Sequence, residues 1–330
     1  MTGYSSPNRK AIRAFQRVQA TNAEAVKLSG AGRKAAALNA AERAVRECVA
    51  LCAIDPGYRP VLVTVLLNAS GLSRSNEDVL SWLQYAAKAV AIGYDIEDAT
   101  GQAPPDMGKA TTAFEQVTFL IAFGQGSDQL RGSLTTVLDG TSAERQAEVL
   151  ETIDLCLRIG DRHRRAGSAE VAIGHYNAAT VLSDACHPLG PAFVAADCAA
   201  WMSLAEARVM TTEYRQGGRE SASRACARAL NWLSEWFRSS DVGFIFTRLD
   251  ELPTGADAKR RCTLASEMLG RYAGVLDILG HPDASMRMET AGRLFVEGLD
   301  DPPERLEIQI TLDMAVERFN EVEQTFSNPL

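Results

Sequence analysis

The 330-residue sequence lacks any apolar run long enough to cross a bilayer. Its longest stretches, VLVTVLL at 61–67 and VTFLIAF at 117–123, fall far short of the roughly 20 residues a spanning helix needs. The opening MTGYSSPNRKAIRAF has no apolar core of the secretory type, so a soluble, cytoplasmic protein is expected. No C-x-x-C pair occurs, which removes the strongest zinc signature. The seven cysteines, Cys48, Cys52, Cys156, Cys186, Cys198, Cys226 and Cys262, are odd in number and dispersed. They read as small core residues in a reducing compartment, with Cys48 and Cys52 on one helix face. There is no G-x-S-x-G and no H-E-x-x-H. Gly124-Gln-Gly126-Ser127 is not followed by Lys-Ser or Lys-Thr and follows no strand, so it fails as a phosphate loop. A basic excess is also missing. The net charge is -8 and the pI about 5.2, which argues against a nucleic-acid binder working by bulk electrostatics. No cofactor or metal is expected.

What the sequence has in abundance is alanine, the best helix former, and apolar residues recurring at three and four rather than two. Hydrophobic residues make up 46% and charged residues 23%, which places the chain among folded rather than disordered proteins. Glycine and proline punctuate the pattern every few helical turns, at Gly30, Pro56-Gly57, Gly71, Gly140, Gly167 and Gly217-Gly218 among others. That spacing suits helices joined by short loops. Thr141-x-x-Glu144 has capping-box form, and Ser75 with Asp78 opens VLSWLQYAAKAVAIG. One stretch, VGFIFTRL at 242–249, has strand character but stands alone, and reads as a buried helix or loop. Residues 1–97 read as N-terminal helical hairpins. The segment DATGQAPPDMG at 98–108 reads as a linker or long loop, and 109–330 as a helical repeat region ending in a C-terminal helix.

An internal spacing supports hairpins. Gly160 is followed by Gly167, Ala172, Tyr176 and Ala179. Gly160 lets a partner helix approach, Gly167 turns the chain without a Cβ clash, and Tyr176 fills the space between two small residues on one face. Gly32, Ala37, Ala41 and Ala44 repeat the later offsets, as do Gly217, Ala222, Cys226 and Ala229. Leu279, Ala284, Met288 and Ala291 follow them more loosely, and AIDPGYRPVLVTVLLNASG (53–71) carries a Pro-Gly-Tyr turn followed by an apolar helix, which by resemblance to helical-repeat families implies a join between neighbouring pairs. The pattern resembles degenerate tetratricopeptide repeats over about four helix pairs, most specifically at 153–188. The resemblance implies an all-α fold of antiparallel helix hairpins stacked as a right-handed solenoid. A compact α-helical bundle is the alternative.

In that family the first helices of each pair line a groove that binds peptides. Carried onto this chain, the groove falls at Asp154, Leu157, Arg158, Asp161, Arg164 and Arg165, with Arg208, Thr211, Tyr214 and Arg215 before Gly217. The ligand-binding set is therefore Arg158, Asp161, Arg164, Arg165, Arg208, Tyr214 and Arg215. Its arginines would grip carboxylates of a protein or peptide partner in bidentate fashion. The same arginines also suit a solvated face paired with Asp154 and Asp161. The expected function is a non-catalytic adaptor or scaffold, with no catalytic residue assigned.

Two other readings stand beside it. Arg158-x4-His163 resembles the motif of HEPN-type ribonucleases, in which charge and proton transfer act on a scissile phosphate. Ile159 departs from that pattern. A structural role as a homo-oligomer would use the Ala-rich convex faces and the C-terminal helix. His163, His175 and His187 recur at intervals of twelve, which does not place ligands on one helix face. Asp300, Asp301 and Glu304 are reminiscent of magnesium-binding carboxylates in isoprenoid enzymes, but Pro302 and Pro303 break the helix face such a site needs.

Overall fold

The computed structural model describes residues 9–122, 124–139, 143–186, 191–211 and 256–278, with 221–222, 224–226, 228–229, 280, 282–283, 285–286 and 289. Every element among them is helical. The helices are α1 (Arg9–Gly30), α2 (Lys34–Ile54), α3 (Arg59–Ser75), α4 (Val79–Thr100), α5 (Met107–Ala122), α6 (Gln125–Asp139), α7 (Ala143–Arg165), α8 (Ala169–Cys186), α9 (Pro191–Val209) and α10 (Ala256–Ile278). A short 3-10 turn at Pro56–Tyr58 precedes α3, closed by the Asp55 carboxylate accepting from the Gly57 N–H at 2.9 Å. No described helix is long and apolar enough to cross a membrane. The strand-like stretch at 242–249, Thr141, Gly217-Gly218, Leu279, Ala284, Met288, Ala291 and the 300–304 acids lie outside the described residues.

Chain contacts group Met1–Ile159 and Gly160–Leu330 as two compact units, with the division falling within α7. In the first unit each helix packs on the next, from α1 on α2 through α5 on α6. α3 also meets α5, and α4 meets α6. The 98–108 segment lies inside this unit: α4 runs to Thr100 and α5 starts at Met107. In the second unit α8 packs on α9 and α9 on α10.

Small side chains set these approaches. α1 buries Ala11, Ala14, Val18, Thr21 and Ala25, a three-four stripe. Ala25 joins Ala37, Ala40, Ala41, Ala69 and Leu72 in one cluster drawn from α1, α2 and α3. α4 starts at the N-cap Asp78, whose carboxylate accepts from the Ser81 N–H at 3.1 Å. At Gly93 on α4 an added Cβ would run into the Met107 sulfur at the start of α5, so that side chain would have to move. Within the second unit an added Cβ on Gly160 would stand 2.5 Å from Tyr176 Cε1. Gly167 turns the chain with φ +80°. Ala172, Tyr176, Ala179, Ala222, Cys226 and Ala229 are all buried, as are Ala37, Ala41 and Ala44 in the first unit.

Candidate functional site

Alanine cannot hold a ligand by charge, so the polar groups decide where function lies. The arginines of α7 come first. Arg158 sits half-exposed in the first unit, with Nη2 3.8 Å from Asp95 of α4 and Nη1 3.8 Å from Asp154 one turn back. Asp95 also takes Arg59 at 3.6 Å. Arg158 therefore belongs to an exposed acid–base cluster, of the kind that contributes little to stability.

In the second unit Asp161 and Arg164 do not face open solvent as a strip. The Tyr176 hydroxyl donates to Asp161 Oδ1 at 2.6 Å, and Arg164 Nε donates to the Tyr176 hydroxyl at 3.3 Å. Arg164 also reaches Asp161 at 3.4 Å and Glu206 of α9 at 3.5 Å. Arg271 of α10 grips the same Glu206 with two nitrogens, at 2.6 and 3.0 Å, and donates to the Ser203 hydroxyl at 2.7 Å. The result is a connected polar network across α7, α8, α9 and α10. Burial opposes the charge on both Arg164 and Arg271. Hydrogen bonds and charge from Tyr176 and Glu206 on Arg164, and from Glu206 on Arg271, more than offset it, so both guanidiniums hold their protons more tightly than usual. Burial, then the bond to Asp161, pushes the Tyr176 hydroxyl well above its ordinary range.

Of the remaining set, Arg165 is exposed. Arg208 is half-buried and donates to the Ser221 carbonyl at 2.9 Å. Burial, then the nearby Arg224, makes its proton less tightly held. Tyr214 and Arg215 lie outside the described residues.

His163 of α7 packs its ring on buried His175 of α8, with centroids 5.2 Å apart. Burial, and after it His163, pushes His175 down to about 3. Its imidazole is neutral at any physiological pH. Among the described residues no group of three or more His, Cys, Asp or Glu could hold a metal ion. Cys48, Cys156, Cys186, Cys198 and Cys226 are buried and unbridged, and Cys52 is half-buried and unbridged.

Asp197 of α9 is fully buried. The Ser183 hydroxyl donates to its Oδ1 at 2.5 Å, while Oδ2 has no hydrogen-bond partner. Burial pushes this carboxyl up to about 7. Beside it Arg228 pairs with Asp184 at 2.5 Å and stands over the Trp201 ring at 5.3 Å.

Two surfaces of the first unit were not singled out from the sequence. An open groove of about 760 Å³ is lined by Arg74 of α3, Trp82 of α4 and Thr112, Glu115, Gln116, Phe119 and Leu120 of α5. Arg74 lies over the Trp82 ring at 5.2 Å and donates to Gln116 at 2.9 Å, and Phe119 is 62% exposed. The second surface is the outer face of α1, where Arg9, Lys10, Arg13 and Arg17 are all exposed. Its sequence signal was available as R-x3-R-x3-R, but the acidic average of the chain concealed it.

Fold and surfaces together define an all-helical protein of successive packed helices, with open grooves in the first unit and a polar network in the second. Comparison with protein-family models, with curated proteins and with solved structures finds no match.

Proposed function

We propose that this chain is a non-catalytic helical-repeat scaffold of the tetratricopeptide type. It docks a partner protein in the α3–α5 groove, and its hairpins stack in open, solenoid fashion. Three features support the stacking: neighbour-on-neighbour packing in the first unit, Gly160 against Tyr176, and burial of the small residues at the recurring offsets. The groove carries the functional reading. An aromatic side chain as exposed as Phe119, beside Trp82 and a guanidinium, is what a protein interface places at its centre. The partner segment presents an apolar side chain to Phe119 and a carboxylate to Arg74. The unbridged thiols fit a reducing, cytoplasmic setting.

The arginines of α7 and α9 serve this reading less well as anchors, because Arg158 and Arg164 already have acidic partners and Arg208 a carbonyl. Arg165 is the exposed member left to contact a partner. An RNA-cleaving site would need Arg158 and His163 to converge on one phosphate. Arg158 is tied to Asp95 and Asp154, whereas His163 packs on His175, so the scaffold reading is preferred.

The test is capture on the immobilised full chain from native lysate, read by mass spectrometry, with Phe119→Glu beside the wild type. A partner retained by the wild type and lost by the variant supports the groove. An identical captured set, with unfolding midpoints matched, rejects it. Light scattering on both proteins shows whether the occupant is a second copy.

A further inference from the structure

A cationic ridge runs along α1. Arg9, Arg13 and Arg17 follow one another at intervals of four, about 6 Å apart along the helix axis, with Lys10 beside them. The opposite face of α1 is the alanine stripe packed on α2, so the ridge points to solvent. An open depression of about 640 Å³ is lined by Arg9, Lys10, Arg13, Gln16, Arg17 and Ala20. Arg17 also borders a second depression of about 280 Å³, which Arg46 of α2 shares.

For Arg9, Arg13 and Arg17 internal partners are scarce among the described residues. The one acid of α1, Glu24, is taken by Arg43 at 2.5 Å. Glu47, on the smaller depression, accepts from the Thr21 hydroxyl at 2.9 Å. Among the described residues Arg9, Arg13 and Arg17 form no ion pair. Their place is also electrostatically costly. Arg9, Arg13 and Arg17 stand one turn apart on one face, so like charges repel one another there. An external anion would relieve that repulsion.

We infer that the α1 ridge is a docking surface for an acidic segment of a partner protein. The occupant presents carboxylates at one-turn spacing, so that each meets a guanidinium fork. Its chemistry follows from what surrounds the ridge. Among the described residues no aromatic side chain lines either depression to stack bases on, as single-stranded nucleic acid requires. The exposed positions beside the arginines are Gln16, Gln19 and Ala20, which offer no large apolar group for insertion into a lipid surface. A net charge of -8 repels a long polyanion or an anionic membrane more than a short acidic segment. The site is separate from the α3–α5 groove and rests on the scaffold reading only in that the segment belongs to a protein.

The probe is a fluorescein-labelled oligoglutamate peptide, titrated with the full chain by anisotropy. A single-stranded oligonucleotide of equal charge and phosphatidylserine vesicles are the comparison arms. Oligoglutamate is expected to bind, and to weaken as salt rises. Arg13→Glu should lower its affinity about tenfold, and Arg13→Glu/Arg17→Glu further, with helicity and unfolding midpoint unchanged. Arg13→Lys should retain most of it. Arg165→Glu, an equal change in charge on α7, should change it less than about twofold. Phe119→Glu should leave it unchanged, which separates failure of the ridge from failure of the groove. Tighter binding of the oligonucleotide or the vesicles overturns the proposal. So does an equal loss from Arg13→Glu and Arg165→Glu, which would make the effect one of bulk charge.

Discussion

Arginine plays opposite parts on α1 and α7. On α7 the guanidiniums turn to their own chain: Arg158 to Asp95 and Asp154, and Arg164 to Tyr176, Asp161 and Glu206. On α1 Arg9, Arg13 and Arg17 stand one turn apart, and among the described residues they form no ion pair. Residue type is thus shared, and what differs is the acid supplied by neighbouring helices. A strip of arginines is a binding surface only where the fold leaves it uncompensated. Where the fold supplies partners, it is mortar between helices, and removing it costs stability rather than affinity.

The comparison breaks first on the acids of the second unit, where the largest effect is expected. Folding raises the Asp197 carboxyl from 3.8 to about 7, so protonation favours the folded chain. The stability this group confers is complete below its unfolded value. It is lost as pH rises through about 7, with Asp184 and Arg228 the charged groups facing it. Between about pH 5 and about pH 8 the wild type should lose about 3 kcal/mol more than Asp197→Asn, which stays neutral. Urea unfolding at the two pH values measures this. Parallel pH dependence in the two proteins would mean that the carboxylate is solvated after all.

Glu206 is next. It is nearly buried and receives both Arg164 and Arg271. Glu206→Gln keeps the shape and one acceptor oxygen, but leaves two guanidiniums facing each other without their anion. A loss of about 2 kcal/mol in unfolding free energy is expected, with oligoglutamate binding at α1 unchanged. A silent substitution would place the network among exposed ion pairs and erase the contrast with α1.

The helices were legible in the sequence because local chemistry fixes them. Asp78 caps α4, while Ser75, read with it as the opening, ends α3, and the described alanines at the recurring offsets are buried where their spacing puts them. The close approach of Tyr176 to Gly160 was legible for the same reason: both ends of the contact lie within one hairpin. The fate of the arginine strip was not. Asp95, Glu206 and Arg271 come from helices distant in sequence, and no spacing within α7 announces them. The groove at Phe119 was hidden likewise, since nothing in the apolar run VTFLIAF announces that Phe119 is exposed beside α3 and α4. Asp197 in AADCAAW carried a faint signal, an acid inside a run of small apolar residues. The α1 ridge needed only the spacing of three arginines, and averaging the charge over the chain obscured it. Tyr214 and Arg215 stand outside the described residues, so of the expected ligand-binding set before Gly217 only Arg208 is placed.

The smallest effects decide the comparison most sharply, because they concern exposed arginines in both places. Arg158→Ala removes two ion pairs at 3.8 Å between exposed groups. Such pairs gain little over solvation and are screened by salt, so the loss should be at most about 0.5 kcal/mol and should fade at high salt. Arg13→Ala/Arg17→Ala removes like charges one turn apart that form no ion pair among the described residues, while alanine is the better helix former. Stability should therefore stay level or rise by a few tenths of a kcal/mol, most visibly at low salt. The sign separates the two helices. A destabilised α1 variant would mean that its arginines, like those of α7, have found partners within the chain, and the ridge would then have no charge left to offer an acidic segment.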